Sequence, residues 1–142
     1  MNLDTHAIVE KVYDVLRSDA KTAGIRWRLG VVTLDDAQQL PAGGVSLGSG
    51  VVTDGPSPNQ AESTFQILLR ILYVSEFGVA AAEELLQDAL NAVLQVLWAK
   101  RSLDDWPGLI EHVLRWDQPV SNPEASPPSA TVLIRMEVRH RS

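Results

Sequence analysis

Three histidines, His6, His112 and His140, are the side chains best suited to acid–base or metal chemistry, and they lie far apart in the sequence. None has a partner three or four residues away that would make a helical metal pair. In a strand, His112 and its neighbour Glu111 point to opposite faces. All three read as core or edge histidines rather than ligands. The glycine-rich stretch Gly43-Gly44…Gly48…Gly50 invites comparison with a phosphate loop. It lacks the lysine and the Ser/Thr that such a loop uses, and no helix start follows to supply backbone donors. Gly48 and Gly50 suggest instead a bulge, or a place where another backbone comes close. The carboxylate pairs Asp35-Asp36 and Asp104-Asp105 supply too few convergent oxygens for a divalent ion and read as caps or solvated acids. No G-x-S-x-G elbow occurs, and Ser49 sits inside a strand candidate. Trp27, Trp98, Trp106 and Trp116 could stack on bases, but most lack basic neighbours and read as core or subunit-interface residues. Arg26-Trp27-Arg28 is the one such segment suited to a surface contact. These patterns predict no catalytic residue, no metal and no cofactor.

The chain that positions these residues has 142 of them, 45% hydrophobic and 21% charged, which fits one globular domain spanning 1–142 with a core of its own. It contains no cysteine, so disulfides, thiolate metal sites and cysteine nucleophiles are excluded together. No apolar run reaches the roughly 18 residues needed to span a bilayer, so no membrane partner is expected. The N-terminal residues lack the basic start and apolar stretch of a secretory signal, which leads to the expectation of assembly in the cytoplasm. The net charge of −6 argues against gripping nucleic acid, whose phosphates call for clustered Lys and Arg. The one local cluster is Arg135, Arg139, His140 and Arg141.

Apolar spacing predicts a helix over 4–18, capped by Asp4 or Thr5, with Ile8, Val9, Val12, Tyr13 and Leu16 on one side. Ile25 to Leu29 alternates like a short strand, and Leu34 to Leu40 has room for a helical turn or two before Pro41. A glycine-interrupted strand over 44–53, a turn at 55–59 and a strand over 64–75 follow, the last with Phe65, Ile67, Leu69, Ile71 and Tyr73 on one face. A long helix from Val79 to Lys100 has Glu83 and Glu84 placed in its first turn and Lys100-Arg101 at its end. After a turn at Trp106-Pro107-Gly108, residues 109–117 alternate, and the proline-rich stretch 118–129 reads as an exposed loop. Residues 130–140 alternate again, with Val132, Ile134, Met136 and Val138 inward. The predicted class is α+β. An antiparallel or mixed sheet of about four strands carries both helices on one face, in the order helix-strand-strand-helix-strand-strand.

Particular segments add to this order: Ile8-Val9-Glu10-Lys11-Val12-Tyr13, the Leu40-Pro41 step into the first strand, and Phe65-Gln66-Ile67-Leu68-Leu69-Arg70-Ile71 running into Ala81-Ala82-Glu83-Glu84-Leu85. With the closing strand Thr131 to Val138, the pattern resembles the tail-terminator (tail-completion) family of long-tailed phages and related particles. The resemblance implies a virion structural protein at the tail end or neck. It would form a ring, commonly a hexamer, that caps the finished tail tube and stops its polymerisation. Its expected partners are its own copies, the tail tube protein and a head–tail connector or stopper protein, with DNA passing through the lumen without specific binding. The loops 54–62 and 117–130 are expected to make assembly contacts through Asp54, Asn59, Glu62, Gln118, Asn122 and Glu124, and the last strand through Arg135 and Arg139. Two other readings stay open. One is a different neck or head-completion component of the same particle; the other is a small-molecule-binding α+β domain with a pocket between sheet and helices.

Overall fold

A computed structural model of the chain describes residues 4–32, 41–100, 109–125 and 127–141, with backbone alone at 109–111. The elements in order are α1 (Thr5–Ser18), β1 (Arg26–Leu29), β2 (Ala42–Asp54), β3 (Ala61–Val74), α2 (Val79–Ala99), β4 (Leu109–Trp116), β5 (Val120–Asn122) and β6 (Ser129–Arg141). The class is α+β, as the periodicities require, but among the described residues the sheet has six strands rather than about four. Its order is β1-β2-β3-β6-β4, with β5 paired to β6 beyond the end of β4.

The central antiparallel pair, β3 with β6, runs in unbroken register from Glu62↔Arg141 to Val74↔Ser129. Directly paired residues share a face, so Phe65, Ile67, Leu69 and Ile71 lie with Val138, Met136, Ile134 and Val132, and all eight are buried. Fully burying one such side chain stabilises the fold by about 1.5–3 kcal/mol. Against this face pack Val9, Val12 and Leu16 of α1 and Ala82, Leu86, Val93 and Leu97 of α2, all in one core. Both helices therefore lie on the same side of the sheet, as the apolar stripes predict.

Asp4 caps α1 by accepting a hydrogen bond from the Ala7 N–H at 3.1 Å. The long helix differs from expectation at its ends. It begins after Gly78, which adopts φ 108°, and its first and last turns contain no acidic and no basic residue respectively. Glu83 and Glu84 thus fall one turn too far in to complement the helix dipole strongly.

Two strands depart from the sequence reading. The short segment 26–29 does form a strand, but it pairs parallel to β2, Trp27 opposite Gly43. A parallel partner cannot be reached by a tight turn. The chain leaves β1 at Gly30 (φ 111°), and Val32 packs on Ala42 and Leu72, on the side away from the helices. The expected 118–129 loop contains β5, whose Ser121 hydroxyl donates to Glu83 at 2.6 Å. The helical turns expected at 34–40, the pairs Asp35-Asp36 and Asp104-Asp105, and Trp106-Pro107-Gly108 lie outside the described residues.

Trp27 is buried, and its indole N–H donates to the Thr22 carbonyl at 2.9 Å. Its ring occupies the space a side chain on Gly43 would need. Gly43→Ala should therefore cost about 1–3 kcal/mol through overpacking, because Trp27 cannot shift without giving up its hydrogen bond. Gly24→Ala, where nothing lies within 4 Å of the added methyl, should stay within about 0.5 kcal/mol. Urea denaturation of the two variants measures the difference.

Candidate functional site

The residues expected to make assembly contacts fall at opposite ends of the sheet. Asp54, Asn59 and Glu62 belong to the β2–β3 hairpin, and Arg139 lies beside them on β6. Gln118, Asn122 and Glu124 lie at the other end, around β5, with exposed side chains. The 14 residues of β3 separate the two groups by on the order of 45 Å. Arg135 sits between them on the helix-free face.

The β2–β3 hairpin extends past the helices as an arm. β1 covers only Ala42–Val45 of β2, so among the described residues the 46–54 edge has no strand beside it. From Leu47 onward, most of the strand is exposed. Between Leu47 and Gly50 the register slips by one, with Gly48 and Ser49 both opposite Gln66, so the bulge suggested by the glycines is present. The slip reverses which residues face which side. Leu47 and Val52 fall on the helix side and Val51 on the other, and Val51 and Val52 are 58% and 49% exposed. At the tip, Gly55 N–H donates to the Gln60 carbonyl at 3.0 Å and Asn59 takes φ 67°.

Charge clusters at the root of this arm. The Glu62 carboxylate accepts hydrogen bonds from the guanidinium groups of Arg139 and, at 3.2 Å, of Arg141. Arg139, and after it Arg141, hold the Glu62 carboxyl below its ordinary value of 4.5, outweighing the opposing effect of burial. Farther along β6, Arg135 directly opposes Arg115 of β4, a like-charge pair that costs stability. Asp117 offsets it by taking Arg135 in a two-pronged contact, Nε to Oδ1 at 3.3 Å and the NH2 nitrogen to Oδ2 at 3.1 Å. All three arginines of the closing strand are thus already engaged within the chain.

At the opposite edge, between α2 and β4, an open groove of about 520 Å³ is lined by Leu94, Gln95, Trp98, His112, Leu114 and Trp116. His112 is buried and stacks on Trp98, centroids 6.3 Å apart and planes at 11°. This agrees with a core or edge role for the histidine. Trp98 and Trp116 each remain 53% exposed. The sequence reading took both as core or subunit-interface residues, and it missed the groove because the register of β4 against α2 is a tertiary property. A second cleft, of about 310 Å³, lies on the helix-free face beside Val32, Leu68, Arg70 and Leu133. Contrary to the sequence reading, His6 has a partner four residues on, meeting Glu10 at 3.0 Å on the exposed side of α1. Among the described residues no three His, Cys, Asp or Glu side chains converge to hold a metal ion. No helix among them is long and apolar enough to cross a membrane.

No family model and no curated protein matches this sequence. Among solved structures, the virion of a native gene transfer agent particle contains a chain with a TM-score of 0.51 to this one. The two are 19% identical, and the match covers 95% of each chain. The shared feature is the fold.

A depressed carboxylate pKa stabilises the folded state above the ordinary value, and that contribution is lost as pH falls through the lowered one. Amide exchange in the arm should therefore accelerate as pH drops below 4.5, relative to β3–β6 amides at the helix-covered end. Glu62→Gln should remove most of that pH dependence, which exchange measured on both proteins across this range will read.

Proposed function

We propose that this chain is a structural subunit of a phage-like particle, assembling as a ring on the end of a tail tube. The observation that carries the reading is the fold match to a chain of the gene transfer agent virion, extending over nearly all of both chains. The order of elements, which resembles tail terminators, supports the same reading. So do the exposed apolar arm and groove, since large exposed apolar patches mark interaction surfaces.

In this role the ring, a hexamer of identical copies, caps the tube, stops its polymerisation and presents a surface to the head–tail connector or stopper protein. Its other partner is the tail tube protein, and its place in the virion is the tail end or neck. DNA passes through the lumen without specific binding, in keeping with the net charge of −6. A neighbouring neck or head-completion role would draw equally on the match to a virion chain, so the decisive property is position along the particle.

Two measurements test the reading. Light scattering over a range of concentrations should give a hexamer, or a monomer that becomes one as concentration rises. Tails isolated without heads should retain the protein at the tube end. Its presence on heads and absence from such tails would replace the terminator role with a head-completion role.

A further inference from the structure

We infer that the groove between α2 and β4 receives the β2–β3 arm of a second copy of this chain, the arm's free edge pairing antiparallel with β4. The inference rests on the self-assembly half of the proposed function and names the surfaces that meet.

The sheet is open, and the described residues leave two long edges bare: 46–54 of β2 and the outer side of β4. A bare edge presents unpaired N–H and C=O groups, and proteins usually blunt it with charge or cover it. Here both edges also carry exposed apolar side chains: Leu47, Val51 and Val52 on one, Val113 and Trp116 on the other.

Direction and face both match. β3 runs antiparallel to β2 and to β6, and β6 runs antiparallel to β4, so β2 and β4 point in opposite directions. A second copy related by rotation about an axis near the strand direction keeps those directions. Its β2 then meets β4 antiparallel, the arrangement a hydrogen-bonded ladder favours. Such a copy also keeps its helix side aligned with the first. Leu47 and Val52 of the arm are thereby brought to the side of β4 that bears Leu114 and Trp116, where Leu94 and Trp98 complete the groove. Val51 comes to the side of Val113.

Charge is complementary in sign. Between Ser46 and Gln60 the arm carries one charged residue, Asp54, with no ion-pair partner among the described residues. The edge of β4 carries Arg115 on its helix-free side, likewise without an ion-pair partner among them, and α2 ends at Lys100. Each copy offers one arm and one groove. The contact is therefore heterologous, the type from which rings of more than two copies are built.

The absence of cysteine allows a direct test. Val52→Cys and Gln95→Cys place single thiols on exposed positions of the arm and the groove rim. Each is prepared alone and then mixed, with mild oxidation or a short thiol-to-thiol cross-linker. A covalent dimer should form in the mixture and not from either variant alone, and a chain carrying both changes should give a ladder ending at the closed ring. Independently, Val51→Glu combined with Val52→Glu should weaken self-association about tenfold or more in light scattering, since it forces carboxylates into an apolar contact. Phe77→Glu, exposed in the turn between β3 and α2 at the end of the sheet away from the arm, should leave it unchanged.

Self-association that survives the glutamate pair and gives no mixed cross-link would overturn this contact while leaving the particle reading intact. A wild-type protein that stays monomeric at every concentration would overturn it too. Absence of the protein from particles, with the cross-link present, would overturn the tail role and leave the contact standing.

Discussion

The β3–β6 pairing is the interaction on which the rest of the structure depends, because its length exceeds what the helices can cover. β3 has 14 residues and β6 has 13, so the pair spans about 45 Å at roughly 3.3 Å per residue. α2, with 21 residues, reaches about 31 Å, and α1, with 14, about 21 Å. A two-layer fold built from these lengths must leave sheet uncovered. The uncovered part is the arm, which has lost the helical layer on one side and the β1 neighbour on its edge.

The bulge at Gly48-Ser49 decides what that uncovered part displays. A slip of one residue moves every following side chain to the other face. Val51 and Val52, adjacent in sequence, therefore leave one apolar group on each side of the arm, with no core to bury either. The far edge is handled differently. β4 and β5 lie in line along the same side of β6, interrupted near Pro119, which cannot donate a ladder hydrogen bond. That break confines the uninterrupted apolar edge to β4, beside the groove. The arm in turn is bounded by its bulge and by Pro56 and Pro58 in the turn. Both edges are thus of defined extent, which limits indiscriminate strand pairing.

The sequence made legible whatever depends on local periodicity. The alternation of Phe65 to Tyr73 and of Val132 to Val138 located the two central strands and their buried faces. The alanine- and leucine-rich run located α2 to within a residue or two. Local patterns could not reveal that Arg26–Leu29 pairs parallel to β2, because parallel pairing depends on where a crossover lands. Nor could they reveal that Glu62 is held by Arg139 and Arg141, 77 and 79 residues away in sequence. Of the contact residues that the resemblance led to, Asp54, Asn59 and Glu62 lie on the β2–β3 hairpin, whose turn the sequence did signal. The groove went unseen because a tryptophan on an apolar stripe looks the same whether its neighbours bury it or leave half of it bare.

The layout of charge constrains how any ring of this chain could admit DNA. The net charge of −6 is unevenly spread. The helix-free face of the sheet carries Arg70, Arg115, Arg135, Arg139 and Arg141 against Glu62, Asp117 and Glu137. The exposed side of α2 carries Glu83, Glu84 and Asp88, with no base before Lys100. Arginines with no carboxylate partner among the described residues, such as Arg70 and Arg115, would release counterions from phosphates and retard a passing duplex. A lumen that lets DNA slide therefore requires the helical side to face inward. The arginine-bearing sheet face is then left to meet protein, where guanidinium groups can be matched individually by carboxylates.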